Sequence, residues 1–320
     1  MSNPSPIAFL FPGQGSQAAG MGKELADRYA VARQTFEEAD EALGYELSQL
    51  CFEGPEEKLK LTEITQPAIL TASVAVWRVL EEKGVTPDFV AGHSLGEYSA
   101  HVAAGTLEFA DAVRTVRNRG KYMQEAVPVG VGAMAAIIGM TLDKVSEICH
   151  EAARGEVCQA ANINSPEQIV ISGHAGAVER AIQLAIENGA RKAVSLPVSA
   201  PFHCALMQPA RDRLAADLRA LSFRNSRCPV VSNVDAVLVT DAESARDALI
   251  RQVTGAVKWD QSMRLVIAKG VNLFVEVGPG KILWGLMRQI DRSKTCLAVS
   301  DEASLQKMLA QRTGSAAGPR

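Results

Sequence analysis

The chain has 320 residues, 47% of them hydrophobic, with 33 Lys and Arg set against 36 Asp and Glu. A chain this long buries about three quarters of its unfolded surface, so the small scaffolds that depend on disulfides or metals are excluded. A net charge of −3 lacks the basic excess that nucleic-acid binding demands, and no nucleic-acid partner is expected.

The six cysteines, at 51, 149, 158, 204, 228 and 296, contain no CxxC and no regular spacing. That pattern fits free thiols in a reducing compartment better than a disulfide framework or a zinc site. The segment MSNPSP has no basic region of the kind that opens a signal peptide. No apolar run approaches the roughly 18 residues of a membrane span. The expectation is a cytoplasmic protein without a membrane anchor.

In chain order, the apolar run Ile7–Phe11 reads as a strand, ended by Pro12 and the glycine-rich stretch 13–22. Leu25, Tyr29, Ala32 and Phe36 then recur at helical spacing. After a turn at Gly54-Pro55, a helix is predicted over Pro67–Lys83. Residues 88–94 form a short buried strand, followed by a small-residue helix to Gly105 and an amphipathic helix over Phe109–Glu125. Strands alternating with helices indicate a parallel α/β sheet.

The pattern changes near Pro128. Strand 130–139, helix 141–153 with Thr141 as N-cap, strands 157–162 and 168–172, helix 175–188 and strand 191–196 give the order βαββαβ. That is the ferredoxin-like unit. The α/β pattern resumes at 228–234 and 273–278. The expected organisation is a large α/β domain, residues 1–127 and 198–310, holding a small domain of residues 128–197. Residues 311–320 are expected to be a disordered polar tail.

The strongest chemical signal is Gly92-His93-Ser94-Leu95-Gly96, a GxSxG pattern between a predicted strand and a predicted helix. This is the context of a nucleophile elbow, where the serine stands at a helix N-terminus that favours developing negative charge. The Leu95 amide is then placed to donate to an oxyanion. A serine needs a base, and histidines 93, 101, 150, 174 and 203 are the candidates. His203 is the best placed, in the proline-bracketed segment Pro197–Cys204 where the chain leaves the βαββαβ unit. Gly13–Ala18 matches the dinucleotide pattern GxGxxG/A only weakly, because Pro12 interrupts the junction and no acidic residue ends a second strand. Arg119 lies on an apolar helix stripe with Val116 and Met123, where an arginine either reaches water or meets a buried anion.

FPGQGSQ (11–17), GHSLGE (92–97), RGKYMQEAVP (119–128), APFHC (200–204) and EVGPGK (276–281) together resemble the malonyl-CoA:acyl-carrier-protein transacylase family, in order and across nearly the whole chain. The resemblance implies a hydrolase-like parallel-sheet domain with a ferredoxin-like insert. It implies that Ser94 is the nucleophile, His203 the base, and the Gln14 and Leu95 amides the oxyanion hole. By the same resemblance the Gln252 backbone carbonyl orients the histidine and Arg119 binds the malonyl carboxylate. Leu95 and Phe202 match malonyl-selective members, and His93 and Met123 are expected beside the acyl group. Malonyl-CoA and acyl carrier protein are the expected partners of a monomer, with no cofactor beyond the coenzyme A thioester substrate and no metal. Lys192, Lys281 and Arg288 are candidates for meeting an acidic carrier protein. The competing readings are a polyketide-synthase acyltransferase, a serine thioesterase or hydrolase, and a non-catalytic carrier-binding module.

Overall fold

The structure is a computed structural model that describes residues 6–198 and 200–316, those from 312 on by backbone alone. Among the described residues ten strands form two sheets: β1 (Ile7–Phe11), β2 (Phe89–Gly92), β3 (Gly132–Ile138), β4 (Cys158–Ser165), β5 (Gln168–His174), β6 (Lys192–Ser195), β7 (Val230–Val231), β8 (Leu238–Val239), β9 (Leu273–Val277) and β10 (Thr295–Val299). The larger sheet has the order β10-β9-β1-β2-β7-β8. Every pair in it is parallel except β7–β8, so the chain is of mixed α/β class, built on a parallel sheet. β1 is buried along its whole length, which explains why IAFLF is a continuous apolar run rather than an alternating one.

The smaller sheet, order β4-β5-β3-β6, is antiparallel and comes from one continuous stretch of chain. Its helices Leu142–Ala153 and Ala175–Glu187 bury Val145, Ile148, Val178 and Ala181 against it, reproducing the predicted βαββαβ order. Thr141 is the N-cap, although its side chain makes no capping hydrogen bond. Strand β4 runs on through Asn164 and Ser165, past its predicted end at 162, because its ladder with β5 continues to Ser165 opposite Gln168.

Other differences have local causes. The helical stripe from Leu25 to Phe36 is two helices, Lys23–Arg28 and Ala30–Leu43, divided where Tyr29 adopts an extended φ of −119°. The helix predicted to start at Pro67 starts at Thr62 and carries Pro67 inside it. An interior proline costs ~3 kcal/mol. Here the burial of sixteen of its side chains, Thr62 through Leu80, outweighs that cost. The C-terminal helix Glu302–Ala316 runs past position 311, where a disordered tail was expected, since extending an existing helix costs little compared with nucleating one. The remaining tail positions, 317–320, lie outside the described residues. Among the described residues no helix is long and apolar enough to cross a membrane, and no group of three or more His, Cys, Asp or Glu is arranged to hold a metal.

Candidate active site

The site lies at the carboxyl ends of the parallel strands, where open α/β sheets leave a crevice. Strand β2 ends at Gly92, and the helix Gly96–Ala103 begins four residues on, leaving Ser94 at the apex with φ 53°. A left-handed backbone at a non-glycine residue costs about 1–3 kcal/mol and persists only where its surroundings impose it. Here the Ser94 amide donates to Asn233 Oδ1 at 2.7 Å, and the Ser94 carbonyl accepts from Gln252 Nε2 at 2.8 Å. A Cβ on Gly92 would lie 1.9 Å from the Gly96 carbonyl, and one on Gly96 would lie 2.0 Å from the Phe11 carbonyl. The two glycines of GxSxG are therefore required by close backbone approach, and they press the turn against the end of β1.

His203 also has a positive φ, 58°. Its Nδ1 lies 2.9 Å from the Gln252 carbonyl and 3.2 Å from the Gly255 carbonyl. Carbonyl oxygens only accept, so the ring proton is assigned to Nδ1, which leaves Nε2 bare to accept from Ser94 Oγ at 2.7 Å. Burial, and after it the Arg119 guanidinium, push the His203 pKa down to about 3. The imidazole is thus neutral at ordinary pH and able to take a proton.

Arg119 is 2% exposed, on the helix Phe109–Glu125. That helix packs closely on Thr62–Glu82, because a Cβ on Gly120 would lie 2.5 Å from the Thr62 carbonyl. Arg119 Nη1 donates to Gln66 Oε1 at 2.7 Å, while Nη2 donates to Gln252 Oε1 at 3.0 Å and to Ser94 Oγ at 3.1 Å. Burial lowers its pKa, but a guanidinium keeps its charge in a protein. Arg119 therefore meets neither water nor a resident carboxylate partner: it is a buried cation directed at the serine oxygen.

Around these groups lies a polar shell that the sequence did not disclose. Asn233, two residues past β7, bridges the Ser94 amide and the Gly92 carbonyl, the latter at 2.7 Å. Glu97, wholly buried, accepts from Gln252 Nε2 at 2.6 Å and from the Asn233 amide at 3.3 Å. Burial pushes its carboxyl up to about 8, against the lowering effect of those hydrogen bonds. The Tyr98 ring lies 5.7 Å from the Arg119 guanidinium.

The remaining expected residues take different places. Gln14 follows β1 in the loop that turns at Gly15, φ 104°, and Leu95 follows the serine. Neither backbone amide is taken by another group among the described residues. Met123 is buried behind Gln66, with Sδ 4.0 Å from Nε2. Phe202 packs against both the main core and the Met134–Ala161–Val170 face of the smaller sheet, at the junction of the two. His93 turns away: its Nε2 pairs with Asn164 Oδ1 at 2.8 Å and its ring lies 5.5 Å from Trp259. It hydrogen-bonds none of Ser94, His203 or Arg119, and ties β4 to the elbow instead. Lys192, Lys281 and Arg288 are all exposed.

Comparison with known proteins points to one family. The acyl transferase domain family matches residues 8–314. The malonyl CoA-acyl carrier protein transacylase of Salmonella typhimurium is 51% identical over 306 residues, covering 95% of this chain and 99% of that protein. That of Bacillus subtilis is 50% identical over 303 residues, covering 94% and 96%. Among solved structures, the Coxiella burnetii transacylase superposes with a TM-score of 0.94 at 46% identity, covering 96% of this chain and 98% of that one. A malonyl-transacylase in complex with a type II PKS acyl-carrier protein gives 0.94 at 48% identity, covering 96% and 100%. The chain belongs to the acyl transferase domain family and, within it, to the malonyl CoA-acyl carrier protein transacylases.

Proposed function

We propose that the protein transfers the malonyl group of malonyl-CoA to the phosphopantetheine thiol of acyl carrier protein, through a malonyl ester on Ser94. The observation that carries the reading is a convergence on one atom: Ser94 Oγ lies 2.7 Å from the bare His203 Nε2 and 3.1 Å from Arg119 Nη2. A thioesterase needs the base but has no use for the buried cation, and a carrier-binding module needs neither.

His203 Nε2 takes the hydroxyl proton as Ser94 Oγ attacks the thioester carbonyl. The tetrahedral oxyanion is held by the Gln14 and Leu95 amides, each donor being worth ~10²–10³ in kcat. The C–S bond breaks and coenzyme A leaves with the proton from His203. The carrier thiol then gives its proton to His203 and attacks the ester, and Ser94 Oγ regains a proton as it leaves. The Gln252 carbonyl keeps the imidazole in the right tautomer throughout. The cycle needs no cofactor. Arg119 pairs with the free malonyl carboxylate, bidentately where the planar groups align. Phe202 narrows the space beside the acyl group, and His93 and Met123 support its walls.

In this reading the hydrolase-like large domain, residues 1–127 and 198–310, carries the chemistry, and the ferredoxin-like domain, 128–197, closes one side of the cleft. The protein acts as a monomer in the cytoplasm and supplies malonyl units to fatty-acid synthesis. The 48% identical relative solved with a type II PKS carrier favours one alternative, the same transfer in polyketide assembly. Lys192, Lys281 and Arg288 remain the candidate contacts for an acidic carrier.

Intact-mass measurement after incubation with malonyl-, methylmalonyl- and acetyl-CoA tests the proposal. A malonyl adduct that disappears on adding carrier protein is expected, with less methylmalonyl adduct. A single methyl is worth only about 1–3 kcal/mol, so that discrimination is partial. Absence of any adduct, or release as free malonate regardless of carrier, would overturn the proposal. Arg119→Ala is expected to reduce the preference for malonyl- over acetyl-CoA in kcat/KM by about 10- to 150-fold, the value of a charge-assisted hydrogen bond. An unchanged ratio would remove Arg119 from carboxylate binding.

A further inference from the structure

We infer that Glu97 is a positioning residue for acyl selectivity, acting on Arg119 through the side-chain amide of Gln252. The inference rests on the reading of Arg119 as the carboxylate-binding group. Gln252 meets the site twice. Its backbone carbonyl faces His203, and its side chain separately spans Ser94, Glu97 and Arg119.

An amide can meet such neighbours in two orientations related by a flip, and only one is satisfactory here. Arg119 Nη2 can only donate, so it requires Oε1. The Ser94 carbonyl can only accept, so it requires Nε2. Glu97 Oε2 is the second acceptor on the Nε2 side, at 2.6 Å, and lies closer than the serine carbonyl. It holds Gln252 with its oxygen towards the guanidinium. Glu97 also receives the Asn233 amide, so the residue that clamps the Ser94 turn is fixed by the same oxygen. Arg119 Nε makes no hydrogen bond within ordinary distance, and beside the Tyr98 side chain and the serine oxygen itself, Gln66 and Gln252 are the groups that aim its two terminal nitrogens. Loss of the Glu97 acceptor leaves the Gln252 amide held on its Nε2 side by the Ser94 carbonyl at 2.8 Å and by Asn233 Oδ1 at 3.5 Å only, and so loosens one restraint on the guanidinium.

The acceptor, rather than the charge, performs this role. Glu97→Gln can present a carbonyl oxygen to Gln252, whereas Glu97→Met fills similar volume and presents none. In Glu97→Met the ratio of kcat/KM for malonyl-CoA to that for acetyl-CoA is expected to fall roughly tenfold or more, the scale of one hydrogen bond to a charged group. In Glu97→Gln the ratio should stay within about threefold of wild type. Gln252→Met breaks the same link from the other side while keeping the backbone carbonyl, and should lower the ratio as Glu97→Met does; it carries the test if Glu97→Met does not fold. Equal loss for both substrates in the Met variants marks a merely structural role and overturns the proposal. A ratio that falls as far in Glu97→Gln as in Glu97→Met overturns it too, because charge would then be the cause. Malonyl labelling of the wild-type enzyme, measured alongside, separates failure of this inference from failure of the transacylase reading.

Discussion

Ser94→Ala is expected to take up no malonyl mass from malonyl-CoA and to transfer malonyl to carrier protein at least ~10⁴-fold more slowly, the scale on which serine enzymes fail without their nucleophile. The substitution removes one oxygen and little else. Asn233 binds the Ser94 amide and Gln252 the Ser94 carbonyl, and both main-chain bonds survive in the alanine variant. The positive φ at position 94 is held by those bonds and by the Gly92–Gly96 approach, so the turn keeps its shape. Thermal unfolding should therefore change little while acylation disappears. Malonyl labelling that persists in this variant would refute Ser94 as the nucleophile, and a collapse in melting temperature would show the loss to be one of folding.

His203→Ala is expected to lower kcat by about 10⁴–10⁶ through loss of the base. The pH dependence of the wild type follows from the same residue. Its pKa is pushed down to about 3, first by burial and then by Arg119, whereas an unperturbed imidazole titrates near 6.5. The active species is the neutral ring, so activity is present above the folded pKa and lost only as pH falls towards it. The rate of malonyl-enzyme formation should accordingly be flat between about pH 5 and 7. An inflection near 6.5 would mean that the catalytic imidazole is not held neutral. Because Arg119 is one cause of the depression, Arg119→Ala should raise the acid limb in the same measurement.

The parts legible in sequence are those encoded locally. The strand of continuous apolar residues at β1 and the GxSxG turn each announce themselves within about ten residues, and the order that makes the smaller sheet is read from short elements that follow one another in a single stretch of chain. The resemblance extended this to Arg119, His203 and the Gln252 carbonyl. The polar shell was not legible, because Gln66, Glu97 and Asn233 are single polar residues whose partners come from other elements far along the chain. Glu97 follows Gly96 at the start of a helix and would pass for a first-turn acid complementing the helix dipole. Its burial depends on β7 and the helix Ala242–Gln252 arriving beside it. The N-terminal boundary of the helix Thr62–Glu82 was missed for a similar reason: Pro67 signals an end locally, and only tertiary packing overrides it.

The distribution of the site over the sheet also constrains how the protein is made. Gln14 follows β1, Ser94 follows β2, Asn233 follows β7, and Gln252 comes later still, so a chain emerging from the ribosome presents the serine long before the groups that activate it. Pairings so distant in sequence form late. Until β7 and the segment bearing Gln252 arrive, position 94 lacks the bonds that impose its backbone, and His203 lacks the carbonyls that set its proton. Reactivity is thus withheld from the nascent chain: an incomplete or misfolded molecule carries an ordinary serine and spends no coenzyme A thioester.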